Sequence, residues 1–271
     1  MADTLMADIS EFQTSFDAAA YLKAGNLCII ARTYNGSRPD NMMPARRNAI
    51  RAQPFTAVGW YCYLKASIDP AEQARGFIAT VSTLARNEFP ILDLEEGSGD
   101  QTARAQKFFD VVDKWAGFPC SLYSGASFLK TQLSGTGHWG KRPLWIASYP
   151  NSYSPNPSLE PAGCDWWQYT DRAKFAGLSG GVDGSVFRGS ASEFFARVRT
   201  GSAPAPAPPK AIADDQRIVS IVKQDGRLEV FSIAEDGTVW HAYQTATNGG
   251  WAGAEAGKRN AAWYSLGRPG A

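Results

Sequence analysis

From the N-terminus to about residue 200, short apolar runs alternate with stretches whose apolar residues recur at helical spacing, a rhythm that predicts βα units and a parallel sheet. Strands are expected near Met6–Ser10, Leu27–Tyr34, Phe55–Lys65, Pro90–Glu95, Cys120–Ser124, Leu144–Tyr149, Asp165–Thr170 and Val182–Phe187. Helical periodicity is clearest at Asp69–Arg86, where Asp69 is placed to cap the helix ahead of Pro70 and apolar residues return at Phe77, Val81 and Leu84. Thr102–Trp115 and Ser190–Arg199 read the same way. The later connections are short or loop-like. The predicted fold class is therefore α/β: an irregular (β/α) barrel of about eight strands with an incomplete helical ring.

The pattern changes after residue 199. Residues 200–211 carry alternating Ala-Pro, which favours extended polyproline II and offers no side chains for a core. This is read as a linker between a domain at 1–199 and a smaller one at 212–271. The latter alternates with period two at Ile218–Val222, Leu228–Ile233 and Thr238–Tyr243, broken by the turn signals Asp225-Gly226 and Asp236-Gly237. A small antiparallel β module is expected. A sheet this small must cover its apolar face with something.

Composition narrows the function classes. A formal charge of +1 lacks the basic footprint of nucleic-acid binding, and no run approaches the length needed to span a bilayer, so neither nucleic acid nor membrane is expected as a partner. The first residues show no basic segment followed by an apolar run, so no leader is expected. Nine tryptophans are many for 271 residues and lean toward a carbohydrate ligand, because aromatic rings stack on sugars. Cys28, Cys62, Cys120 and Cys164 are widely spaced and mostly inside strand-like runs, as buried free thiols would be. With only His138 and His241, a His-rich zinc site is ruled out and a Cys-His peptidase is disfavoured. No phosphate loop or dinucleotide fingerprint is present, and neither cofactor nor metal is expected.

The candidate chemistry is acidic. In Leu92-Asp-Leu-Glu95, Asp93 and Glu95 lie two apart on a strand and share a face, while Leu92 and Leu94 turn to the packed layers. Paired carboxylates disfavour each other's ionisation, so one can serve as a general acid while the other stays charged, the arrangement used on glycosidic bonds. Barrel chemistry gathers at strand ends. Asp8 on the first strand and Asp183 on the last would join the pair, since closure sets those strands side by side. Taken singly, Asp8 reads as a turn cap and Asp183-Gly184 as a β-turn. Asp183 falls early in its run, which leaves its depth open. Of the aromatics, Tyr61, Tyr123, Trp145 and Tyr149 are expected in the bowl, the others packing against helices.

Taken in order, Ala7-Asp-Ile-Ser-Glu-Phe-Gln13, Gly59-Trp-Tyr-Cys-Tyr63, Leu92-Asp-Leu-Glu95, Leu122-Tyr-Ser-Gly125, Leu144-Trp-Ile-Ala-Ser-Tyr149, Trp167-Gln-Tyr169 and Val182-Asp183 resemble glycoside hydrolase family 25, the Chalaropsis-type lysozymes. The resemblance spans about residues 6–199. It implies an irregular barrel with fewer helices than a TIM barrel, and cleavage of the β-1,4 bond between N-acetylmuramic acid and N-acetylglucosamine in peptidoglycan. Glu95 then matches the general acid and Asp93 its charged partner. Asp8 and Asp183 match further bowl acids, and Tyr61 and Tyr149 its floor or wall. Two positions depart from the family pattern: Cys62 stands where a polar residue is expected, and Gly184 where a larger one is usual.

The C-terminal segment resembles one blade of a tectonin or fucose-lectin β-propeller, carried by Asp225-Gly-Arg-Leu-Glu-Val-Phe231, Asp236-Gly-Thr-Val-Trp-His241 and Gly249-Gly-Trp251. That implies a cell-wall saccharide as its partner, or homo-oligomerisation through shared blades. The whole layout resembles a bacteriophage endolysin, expected in the host cytoplasm before lysis and at the wall afterwards, with a bacterial autolysin as the near alternative. A non-catalytic wall binder and a chitinase-like hydrolase are the rival readings.

Overall fold

The eight apolar runs form strands β1 (Thr4–Ile9), β2 (Cys28–Tyr34), β3 (Ala57–Tyr63), β4 (Glu88–Asp93), β5 (Ser121–Gly125), β6 (Leu144–Ala147), β7 (Trp166–Ala173) and β8 (Val182–Phe187), which close into a barrel in sequence order. In this computed structural model the described residues are 3–133, 142–150, 154–200, 219–222, 227–233, 239–245 and 264–267. The chain divides into two units, Met1–Pro204 and Ala205–Ala271.

Strands β1 to β7 run parallel to their neighbours, whereas β8 is antiparallel to both β7 and β1. A parallel crossover needs about a dozen residues or more, and the connection from Ala173 to Val182 is shorter than that. The last strand therefore returns as a hairpin. Its start, not its end, lies at the mouth where the other strands finish.

Side-chain parity along the strands builds two cores. Inside the barrel, Met6, Ile30, Phe89, Ile91, Trp145 and Trp166 are buried together. Gly59 makes room for them, because a Cβ there would lie 2.8 Å from Ile91 Cδ1 and 3.0 Å from Ile30 Cγ1. Outside, Ile9, Ile29, Trp60, Leu92 and Leu94 meet apolar residues of the surrounding helices.

Those helices are α1 (Ala18–Lys23), α2 (Met43–Arg51), α3 (Pro70–Val81), α4 (Thr102–Ala116) and α5 (Ala126–Gln132). Asp69 caps α3 by accepting from the Ala71 and Glu72 amides. The helix stops at Val81, short of the expected Arg86, because Ser82 adopts φ 67°. Between β6 and β7 the described residues hold only a 3-10 turn, Pro157–Leu159, so the ring is incomplete.

A sixth helix, α6 (Ala191–Thr200), plugs the end of the barrel opposite the mouth. It begins with a capping box: the Glu193 carboxylate accepts from the Ser190 amide and hydroxyl, and Ser190 Oγ accepts from the Glu193 amide. Phe194 then packs among Phe89, Trp166 and Phe187 at ring-centroid distances of 5.7, 5.2 and 5.4 Å. Arg197 locks the helix to Asp165 through two bonds of 2.5 and 2.6 Å.

The cysteines are free, with Cys28, Cys62 and Cys120 buried and Cys164 partly so. In the second unit, β9 (Val219–Val222), β10 (Leu228–Ile233), β11 (Val239–Tyr243) and β12 (Tyr264–Gly267) form an antiparallel meander in that order. The expected turns at Asp225-Gly226 and Asp236-Gly237, the linker from residue 201 on, His138 and Gly249–Trp251 lie outside the described residues. Among those described, no helix is long and apolar enough to cross a membrane.

Candidate active site

Four carboxyl side chains converge at the mouth. Asp8, near the end of β1, is paired in register with Asp183 at the start of the reversed β8. Asp93 ends β4 between Tyr63 of β3 and Tyr123 of β5. Glu95 follows on the same face and is exposed at the rim. The backbone around the pair is clamped by its neighbours: Leu64 N donates to Asp93 O at 2.8 Å, Leu94 N to Tyr123 O at 3.0 Å, and Ser124 Oγ to Leu94 O at 2.5 Å. Adjacent strands thus set the direction of both side chains.

Crowding and burial shift all four acids toward the neutral form. Burial raises Asp8 well above the usual carboxylate range, and the Asp183 charge adds to it. Asp183 is raised to about 6, first by burial and then by Asp171. Burial, then Glu95 and Asp8, push Asp93 well up, with Arg32 opposing. Glu95, although its side chain reaches the rim, is raised by partial desolvation of its carboxyl; the nearby Tyr123 hydroxyl opposes this and the Asp183 charge adds to it. Asp93 Oδ1 is buried without a hydrogen-bond partner. It is an acceptor waiting for a donor.

The expected aromatics separate by depth. Tyr61, 9% exposed, lies deep among the acids, where burial and the Asp8 and Asp93 charges raise its hydroxyl. Tyr123 stands beside Asp93, and Tyr149, 44% exposed, forms the outer wall. Trp145 departs from its expected place in the bowl. At 2% exposure it packs beneath Tyr123, 4.2 Å between centroids, and over Trp166 at 5.8 Å, with Nε1 donating to Ser185 Oγ. The Tyr123 ring covers it, so it supports the floor rather than facing a ligand. Cys62 and Gly184, the two departures from the family pattern, both point away from the pocket. Cys62 is buried in the outer core, and a Cβ at Gly184 would come within 2.5 Å of Ala173 Cβ.

Three residues absent from the sequence-based site stand in it. Gln168, 1% exposed, donates from Nε2 to Asp8 Oδ2 at 2.9 Å, and its Oε1 accepts from Tyr123 and Tyr149 at 2.7 Å each. Arg32, two residues before the end of β2, pairs with Glu11 at 2.8 Å and Asp40 at 2.9 Å. Tyr63 sits among Glu96, Asp93 and Glu95, its hydroxyl raised to about 12, chiefly by burial. Parity could have found each. Tyr63 is two beyond Tyr61, Arg32 two beyond the inward Ile30, and Gln168 lies between Trp167 and Tyr169, which pack together on the outer face.

Residues 7–178 match the model of glycosyl hydrolases family 25. An uncharacterized protein of Escherichia coli strain K12, YegX, is 33% identical over 145 residues, 52% of this chain and 51% of that protein. The chain thus spans about half the length of the curated relatives it matches. Among solved structures, the CTP1L endolysin is 28% identical with a TM-score of 0.58, covering 71% of this chain and 69% of that one. A bacterial lysozyme from Streptomyces coelicolor shares the fold at a TM-score of 0.64 and 22% identity, covering 75% of this chain and 100% of its own. With an acid-lined mouth on a barrel whose eighth strand is reversed, and a family match over most of that barrel, the chain belongs to glycosyl hydrolases family 25.

Proposed function

We propose that this chain is a peptidoglycan N-acetylmuramidase, cleaving the β-1,4 bond between N-acetylmuramic acid and N-acetylglucosamine with Glu95 as general acid. The observation that carries the reading is the Asp93–Glu95 pair held at the mouth of a family 25 barrel with its acids pushed toward protonation. Glu95 gives its proton to the glycosidic oxygen as the bond to the anomeric carbon breaks. The unpartnered Oδ1 of Asp93 is suited to accept the N–H of the sugar's acetamido group. That contact, with Arg32 nearby, favours the charged carboxylate and makes the acetamido oxygen the better nucleophile. Water activated by the Glu95 carboxylate then opens the cyclic intermediate, with retained configuration. Asp8, Asp183, Tyr61, Tyr123 and Tyr149 line the sugar site, and Trp145 supports Tyr123 from below.

The resemblance to a solved endolysin supports a lytic role in phage release, from host cytoplasm to wall. The C-terminal meander would tether the enzyme by binding a wall saccharide, which raises the local concentration of enzyme at an insoluble substrate.

The test is digestion of purified peptidoglycan by the wild type and Glu95→Gln, with borohydride reduction and mass spectrometry of the fragments. Reduced muramic acid ends from the wild type only are expected, the variant losing at least about 10³-fold in rate while keeping its melting temperature. Asp93→Asn should lose most activity. Reduced glucosamine ends, free peptides, or no release would each replace the reading with a glucosaminidase, a peptidase or amidase, or a binding protein. An inverted anomer in the first product would exclude the acetamido route.

A further inference from the structure

Among the described residues, Phe12 is the most exposed large apolar side chain, 77% open to solvent, and it follows the mouth end of β1, the strand that bears Asp8. The loop that carries it is pinned on both sides. Ser10 N donates to Gln13 Oε1 at 2.8 Å and Gln13 N donates to Ser10 O at 3.0 Å, which closes a turn over residues 10–13. Glu11 N donates to Oδ2 of the buried Asp40 at 2.9 Å, and Arg46 donates to Gln13 O. The Glu11 carboxylate accepts from Arg32 Nη2 at 2.8 Å and from Arg38 Nη1 at 3.1 Å.

Single exposed apolar residues are ordinary on a protein surface. Phe12 differs in being held: the Arg32 guanidinium, itself fixed by Glu11 and Asp40, lies over its ring at 5.3 Å from the centroid. A phenyl ring has no polar handle, so it takes only an apolar partner, and the C–H face of a sugar ring is one. We propose that Phe12 is a platform for a pyranose ring of the glycan, in a subsite away from the scissile bond on the β1–β2 side of the mouth. Three strand spacings separate β1 from β4, which bears Asp93, or about 14 Å around the barrel wall. Phe12 therefore meets a ring beyond the one held among the acids; it holds the chain and takes no part in the bond change. The Arg32 and Arg38 charges are matched by Glu11 and Asp40, so the patch suits an uncharged sugar face better than an acidic stem peptide. The inference rests on the muramidase reading for the identity of the glycan.

The test compares Phe12→Ala, Phe12→Leu and Phe12→Trp in the full chain, on peptide-free strands of alternating N-acetylglucosamine and N-acetylmuramic acid. The side chain stands in solvent, so all three variants should fold with an unchanged melting temperature. In Phe12→Ala the ratio of kcat/KM on long strands to that on the shortest strand cleaved should fall about tenfold, through KM rather than kcat. Phe12→Leu keeps apolar surface but no flat ring and should lose nearly as much, whereas Phe12→Trp should restore the ratio. A wild-type ratio in the Ala or the Leu variant overturns the platform. So does a loss seen only on peptide-bearing strands, which would set the ring against the stem peptide.

A second measurement needs no turnover. In the Glu95→Gln protein, NMR titration with the same strands should move the Phe12 ring resonances once the strand is long enough to reach the β1–β2 side, and adding Phe12→Ala should weaken long-strand binding about tenfold. Unmoved Phe12 resonances under a bound long strand overturn the platform. Strand binding that depends on Phe12, in a wild type that releases no muramic acid ends, would sink the muramidase reading and leave the platform standing. Muramic acid ends released by a protein whose long-strand affinity is indifferent to Phe12 would do the reverse.

Discussion

The four carboxyls at the barrel mouth oppose folding at neutral pH. A carboxyl whose pKa is higher in the folded chain binds more protons there than when unfolded, so stability falls as pH rises through the gap. For Asp183 the window runs from its ordinary 3.8 to about 6. Its favourable contribution is full below about pH 4 and gone above about pH 6. Asp8 and Asp93, raised further, extend the loss to higher pH. Carboxylates with lowered pKa, such as Glu11 and Glu193, act in the opposite sense, so the useful quantity is the difference between wild type and variant. Asp183→Asn should be the more stable protein at pH 7, by on the order of 1–3 kcal/mol, with the advantage disappearing near pH 4. Thermal unfolding across that range measures it; a constant offset at all pH values would show that the carboxyl's titration is not the cause.

Among the elements, α6 carries the most structural weight for its length. Its Phe194 fills the barrel floor between Phe89, Trp166 and Phe187, a site that rigid strands cannot collapse to refill. Phe194→Ala is expected to cost about 3–5 kcal/mol in urea unfolding. A surface cap offers the contrast. Asp69 holds two amides at the start of α3 and pairs with Lys107, all near solvent, so Asp69→Ala should cost only about 1 kcal/mol. Comparable losses at the two sites would mean that α6 does not plug the barrel as described.

For the whole molecule, the first unit contains every proposed catalytic group, and the second contributes a four-stranded meander. A chain ending near residue 200 should therefore keep full activity on soluble muropeptides and lose activity on intact walls. The ratio of the two rates, with sedimentation of each form on purified walls, checks this. Equal wall binding by both forms would remove the tether.

Pattern and local chemistry were enough for much of this protein. Eight strands, the main helices and the Asp-x-Glu pair were legible because period-two and helical spacing are local, and because a capping residue such as Asp69 acts on amides only two and three positions away. The direction of the last strand was not, since it depends on how a short connection closes a ring of strands. That reversal alone explains why Asp183, early in its run, sits level with Asp8. The burial of Trp145 and the central place of Gln168 were likewise tertiary facts. Parity says that both face inward, but only the closed barrel decides which ring covers which, and which three side chains meet one buried amide.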